Sequence, residues 1–156
     1  MPELFGVPLH PALSHFPIAA AVFAAGALLV ANLRGKTPAA AWRNAAVVLL
    51  LVAVVAIPFS VFTGREWAGS LALMPDGTWL PPAAAAGGVL RRHVLAVLGA
   101  SVALLAALPL AVIARHPKRS PLPAFVAAAV AAALLLVAGH MGGKMVHRPV
   151  PGQARP

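Results

Sequence analysis

Four long apolar runs, separated by short polar punctuation, dominate the chain: about Ala12–Leu33, Trp42–Thr63, His93–Ala114 and Leu122–Met141. Each reaches the roughly 20 residues that an α-helix needs to cross the hydrocarbon core of a bilayer. The pattern predicts an all-α fold, an integral membrane four-helix bundle, with spans at about 12–33, 42–63, 93–114 and 122–141 and a long loop at 64–92. At 156 residues, one membrane domain covering 1–156 is expected, with no room for a second. The first charged side chain is Glu3 and the first run is as long as the others, so it is expected to be kept as a span rather than cleaved as a signal peptide.

Composition agrees: hydrophobic residues make up 61% and charged residues 10%, and Glu3, Glu66 and Asp76 are the only acids. That is far from the balance of a soluble domain. The formal charge of +9 would suit nucleic acid, but Arg34, Lys36 and Arg43 fall in one short loop and Arg115, Lys118 and Arg119 in another. Basic short loops stay cytoplasmic, so the charge is a topology signal and no nucleic-acid partner is expected. Both termini and the 64–92 loop are then expected on the periplasmic side of a bacterial inner membrane. Arg65, Arg91, Arg92, Lys144, Arg148 and Arg155 go with them. The chain has no cysteine, which excludes disulfides, thiolate-ligated iron–sulfur clusters and covalent c-type haem. Any redox cofactor must be held non-covalently.

The outer loop carries Trp67, Trp79, Pro75, Pro81, Pro82 and a Gly77 turn, which predicts a short helix at the headgroup level over about Arg65–Leu73 and an irregular return. Pro17, Pro58 and Pro109 fall inside spans, where each removes one backbone hydrogen bond. His15 and His93 each open a span that ends in a basic loop, so the two halves read as related hairpins. Gly139 and Gly143 form a G-x-x-x-G spacing beside Gly142, a packing notch or space for a flat ligand.

The histidines carry the candidate chemistry. At 1.5 Å per helical residue, His15 stands about 28 Å from Arg34, His93 about 33 Å from Arg115 and His140 about 27 Å from Leu122, against a core of roughly 30 Å. Three helices thus bring an imidazole to one outer level, with His10 and His147 expected in a wetter tier about 8–10 Å further out. His116 falls in a basic loop at the other face. A b-type haem fits such a cluster, with His15, His93 and His140 as candidate ligands and Arg65, Arg91, Arg92 and Lys144 as partners for its propionates. Copper or another metal is an alternative, with His10, His15, His93 and His140 as ligands and Met141 and Met145 as soft donors; so is no cofactor at all. Histidine contact with a quinone is a third use. No hydrolytic constellation is present: there is no cysteine, no H-E-x-x-H, no phosphate loop and no carboxylate near Ser14. The chain is not expected to be an enzyme on its own.

The segment Leu9-His10-Pro11-Ala12-Leu13-Ser14-His15-Phe16-Pro17-Ile18 closely resembles the opening of an uncharacterised bacterial four-helix membrane family, described only as a predicted membrane protein or domain of unknown function. Phe62-Thr63-Gly64, His93 and Gly139-His140-Met141-Gly142-Gly143-Lys144-Met145-Val146 extend the resemblance over nearly the whole chain. It implies the four-span fold, and it supports His10, His15, His93 and His140 as candidate functional positions. Family members often continue with a tyrosine and a His-Gly where this chain has His147 and Pro149. Some relatives are joined to Rieske-type domains, which implies a redox setting. The resulting expectation is a membrane module that holds haem b and passes electrons to a redox protein or quinone. The alternatives are a non-catalytic anchor or assembly subunit of a larger membrane complex, or a metal-handling membrane protein.

Overall fold

A computed structural model describes residues 3–4, 7–34, 36–70, 81 and 88–147. Two short strands, β1 (Glu3–Leu4) and β2 (Val7–Pro8), pair antiparallel with Glu3 opposite Pro8 and Leu4 opposite Val7. They lead into four helices: α1 (Leu9–Leu33), α2 (Lys36–Ser70), α3 (Val89–Ala114) and α4 (Leu122–His147). All four are long and apolar enough to cross a membrane, and the fold is an all-α four-helix membrane bundle. α1 lies against α2 and α4, and α3 against α4 and α2, so the helices follow one another around the bundle in chain order.

The helices run past the apolar stretches that announce them. α2 continues through Thr63 and Gly64 to Ser70, so Arg65–Ser70 extends the second span and is not a separate surface helix. A backbone leaving hydrocarbon keeps its hydrogen bonds most simply by staying helical, and no proline occurs between Phe59 and Ser70 to stop it. Residues 71–73 of the expected surface helix, and Pro75, Gly77, Trp79 and Pro82, lie outside the described residues, while Pro81 is fully buried. α3 is capped at its start by Gly88, whose φ of 76° is in the left-handed region that glycine enters without a Cβ penalty.

Packing is that of a protein in lipid. The interior is alanine with a few leucines, whereas Phe16, Phe23 and Leu33 are 62%, 66% and 75% exposed. Lipid tails are as apolar as these side chains, so large residues face outward at no cost while small ones let helix backbones approach. Buried positions alternate in steps of three and four: Pro17, Ala21, Ala24, Leu28 and Ala31 on α1; Ala46, Leu50, Ala53, Ile57 and Ser60 on α2; Ala100, Leu104, Ala107, Ala111 and Ala114 on α3; Ala124, Ala128, Ala131, Leu135 and Ala138 on α4. An average step of 3.5 residues keeps one seam turned inward along each helix. Pro17 lacks the N–H that Leu13 O would accept, and Ser60 Oγ on α2 lies 3.3 Å from that carbonyl and 3.1 Å from Ala56 O. The one hydroxyl proton is shared between these two carbonyls, so the neighbouring helix replaces part of the bond that the proline removes.

Candidate functional site: two seated imidazoles

The inward seams, prolonged toward the bundle end where α1 and α3 begin, meet two histidines. His10 stands seven residues before Pro17 on α1, and His93 seven before Ala100 on α3. Each reaches to the next helix of its own hairpin. His10 Nδ1 lies 3.0 Å from Ser60 O on α2 and 3.4 Å from Thr63 Oγ1. His93 Nδ1 lies 2.8 Å from Ala138 O on α4. A carbonyl oxygen only accepts, so Nδ1 carries the proton in both rings, and Nε2 of each neutral imidazole keeps its lone pair. Neither Nε2 makes a hydrogen bond among the described residues. Both rings are half-buried.

One helical turn beyond each accepting carbonyl stands a glycine. A Cβ on Gly64 would lie 2.7 Å from His10 Cε1 and 3.0 Å from its Nδ1, inside contact distance, so the imidazole occupies the place of that side chain. A Cβ on Gly142 would lie 3.6 Å from His93 Cε1, an ordinary contact. Trp67 closes the His10 seat from one turn further along α2, its ring centroid 5.7 Å from the imidazole and tilted 33°. The two hairpins therefore repeat one device, an imidazole from the first helix donating to a carbonyl of the second with a glycine four residues later. In this repeat His93 corresponds to His10, not to His15 as the order of histidines and basic loops suggests.

The other candidates fall elsewhere. His15 is exposed, and its Nδ1 bonds Pro11 O within its own helix, an oxygen that Ser14 Oγ also reaches at 3.0 Å. His140 is exposed, two residues past the buried Ala138. His10, expected in an outer wet tier, is instead one of the two seated rings. Among the described residues no three His, Asp or Glu side chains are grouped to hold a metal ion. His147 closes α4, and its side chain lies outside the described residues, as does Arg148. Arg65 and Arg91 are half-buried and Arg92 and Lys144 exposed at the histidine end, with Met141 and Met145 half-buried on α4. His116 is at the opposite end, where its carbonyl accepts from Arg43 Nη1 at 3.2 Å and its Nδ1 accepts from Lys118 N at 3.3 Å.

Sequence reasoning missed Ser60, Gly64, Ala138 and Gly142 as parts of the seats. Once burial defines the seams, Gly64 and Gly142 prolong the runs ending at Ser60 and Ala138 by one further step of four, but the near-uniform apolar sequence gives no signal that marks those seams.

A family model described as Predicted membrane protein (DUF2231) matches residues 6–153, nearly the whole chain, and the chain belongs to that family. No curated protein and no solved structure matches it.

Proposed function

We propose that this member of the family is a redox module of the bacterial inner membrane, with both termini on the periplasmic side, in which His10 and His93 would hold a non-covalent b-type haem. The observation that carries the reading is the tautomer imposed on both rings. Each Nδ1–H is committed to a main-chain carbonyl, the outer partner that fixes ligating histidines in metal sites, and each Nε2 is left as a free donor on helices separated from one another around the bundle. Haem iron accepts two such nitrogens, and bundle interiors commonly house cofactors between facing helices.

The surroundings suit the group. Residues 9–14 of α1 and 91–99 of α3 include no fully buried position, while Thr63 and Ala68 of α2 and Leu90 of α3 are buried at the same end. Arg91, Arg92 and Lys144 stand at the same end for propionates, with Arg65 beside them, already engaged in other contacts. Bound haem would supply one-electron transfer. The protein's own part is to fix the ring planes through Ser60 O and Ala138 O, to exclude water from their inner sides and to pair the carboxylates. His15 and His140, exposed at the same end, stand where a redox protein or a quinone would approach. The basic loops at the opposite end support the orientation.

The test is an absorption spectrum of the detergent-purified protein, oxidised and reduced, expressed with haem supplied. The expected result is a low-spin bis-imidazole spectrum at one haem per chain. A colourless protein without stoichiometric metal would overturn the redox reading in favour of an anchor or assembly subunit, and stoichiometric copper without haem would favour metal handling through Met141 and Met145.

A further inference from the structure

At the end of the bundle remote from His10 and His93, the starts and ends of the helices carry Arg34, Arg43, Arg115, Lys118 and Arg119. Two of these stitch the hairpins together. Arg43 Nη1 on α2 donates to His116 O at 3.2 Å, and Arg115 Nε, just past α3, donates to Asn44 Oδ1 at 2.8 Å. Both acceptors are neutral. The sequence has no acidic residue between Glu3 and Glu66 or after Asp76, so nothing at this end balances the guanidinium charges that the crossed bonds hold near one another. Among the described residues Arg43 Nε is buried and has no hydrogen-bond acceptor, so the outward-facing nitrogens of its guanidinium are the ones a ligand would meet.

We propose that this basic end binds the phosphate of an anionic phospholipid headgroup between the two hairpins, with Arg43 and Arg115 as its inner contacts and Lys118 and Arg119 as its rim. The chemistry required is an acceptor with several oxygens, which a guanidinium fork recognises better than an ammonium does. Position decides for a lipid over a free anion. The site stands where α1 and α3 end, the level at which spanning helices meet headgroups, and the exposed Trp42, Leu33, Ile113 and Leu122 beside it offer apolar flanks for acyl chains. Basic pockets between membrane helices recognise acidic headgroups in this way.

The full chain, purified in neutral detergent so that insertion direction plays no part, is titrated with dioleoylphosphatidylglycerol, with dioleoylphosphatidylcholine and with inorganic phosphate, bound lipid being counted by native mass spectrometry. Phosphatidylglycerol is expected to bind at least about tenfold more tightly than phosphatidylcholine, and Lys118→Gln/Arg119→Gln to lower its affinity about tenfold. Both side chains are exposed, and their loop is held by backbone N–H bonds to His116, so this variant keeps the fold. Arg43→Lys keeps the charge and loses the fork, and it too should weaken phosphatidylglycerol while leaving phosphatidylcholine unchanged. Equal affinity for the two lipids, or unchanged phosphatidylglycerol affinity in both variants, would overturn the proposal. Competition by millimolar inorganic phosphate that displaces the lipid completely would assign the site to a free anion and overturn it equally.

Discussion

Alanine at position 64 should collide with the His10 imidazole, whereas alanine at position 142 should meet His93 only at ordinary contact distance. Both glycines are in helices, and replacing either adds helix propensity of about 1 kcal/mol. The added methyl groups meet different surroundings. At 64 the new Cβ lies 2.7 Å from His10 Cε1 and 3.3 Å from its Nε2, and at 142 it lies 3.6 Å from His93 Cε1. Overpacking of the first kind costs about 1–3 kcal/mol, so Gly64→Ala is expected to be neutral to about 2 kcal/mol destabilising and Gly142→Ala stabilising by up to about 1 kcal/mol. Propensity cancels between them, and the difference of about 1–3 kcal/mol isolates the clash. Unfolding in mixed micelles, followed by circular dichroism, measures both. The decisive control is His10→Ala: with the imidazole gone, Gly64→Ala should become favourable by about 1 kcal/mol, a change of sign that a general intolerance of side chains at 64 would not produce. If Gly64→Ala costs the same with and without His10, the imidazole does not occupy that space and the seat described above is wrong.

Topology and the proline repair give two further tests. A reporter fused after Arg155 should behave as periplasmic and one inserted near Lys118 as cytoplasmic, and the reverse pattern would put the two imidazoles on the cytoplasmic side and end the periplasmic-partner proposal. Ser60→Ala removes the hydroxyl proton that Leu13 O shares with Ala56 O, and it should lower stability by about 0.5–1.5 kcal/mol, whereas the same change at Ser101, whose hydroxyl bonds only Val97 O within its own helix, should cost less. Equal effects at the two serines would deny Ser60 its role between helices.

The four spans were legible because length and apolarity alone decide whether a segment can cross a bilayer, and both are written in the chain. Depth counted from the rise per residue was less informative: it set His10 in a tier beyond His93, whereas the two rings are seated in the same way on their neighbouring helices. What did not follow was azimuth. His10 and His15 are five residues apart, which at 3.6 residues per turn puts them about 140° around the helix from one another, so packing turns only one of them inward. Polar residues opposite apolar ones normally reveal the inner face, but here nearly every position is Ala, Leu or Val and the helices carry little contrast. The seam appears only once the buried alanines are known, and then the step from Pro17 to His10 and from Ala100 to His93 picks the ring that faces in. Thr63 and Ser60, the buried polar residues of α2, were the remaining clue.

A histidine that bonds a carbonyl of the next helix has a structural use whether or not it ligates anything. Such bonds add about 0.6 kcal/mol on average between membrane helices, with an upper range near 1–2 kcal/mol, and each of these two ties a hairpin together. The structural and the ligating roles use different nitrogens, and asparagine separates them, because its amide nitrogen stands close to where Nδ1 does while nothing replaces Nε2. His10→Asn and His93→Asn should therefore keep most of the bond to Ser60 O and Ala138 O, and with it stability within about 1 kcal/mol of the parent, yet lose the haem spectrum. His10→Ala and His93→Ala should lose both. His15→Asn and His140→Asn should keep the axial-ligand spectrum, since neither ring shares the inward seam. Loss of the spectrum in the His15 and His140 variants, with retention in the other two, would move the site to the exposed histidines and leave His10 and His93 as helix clasps.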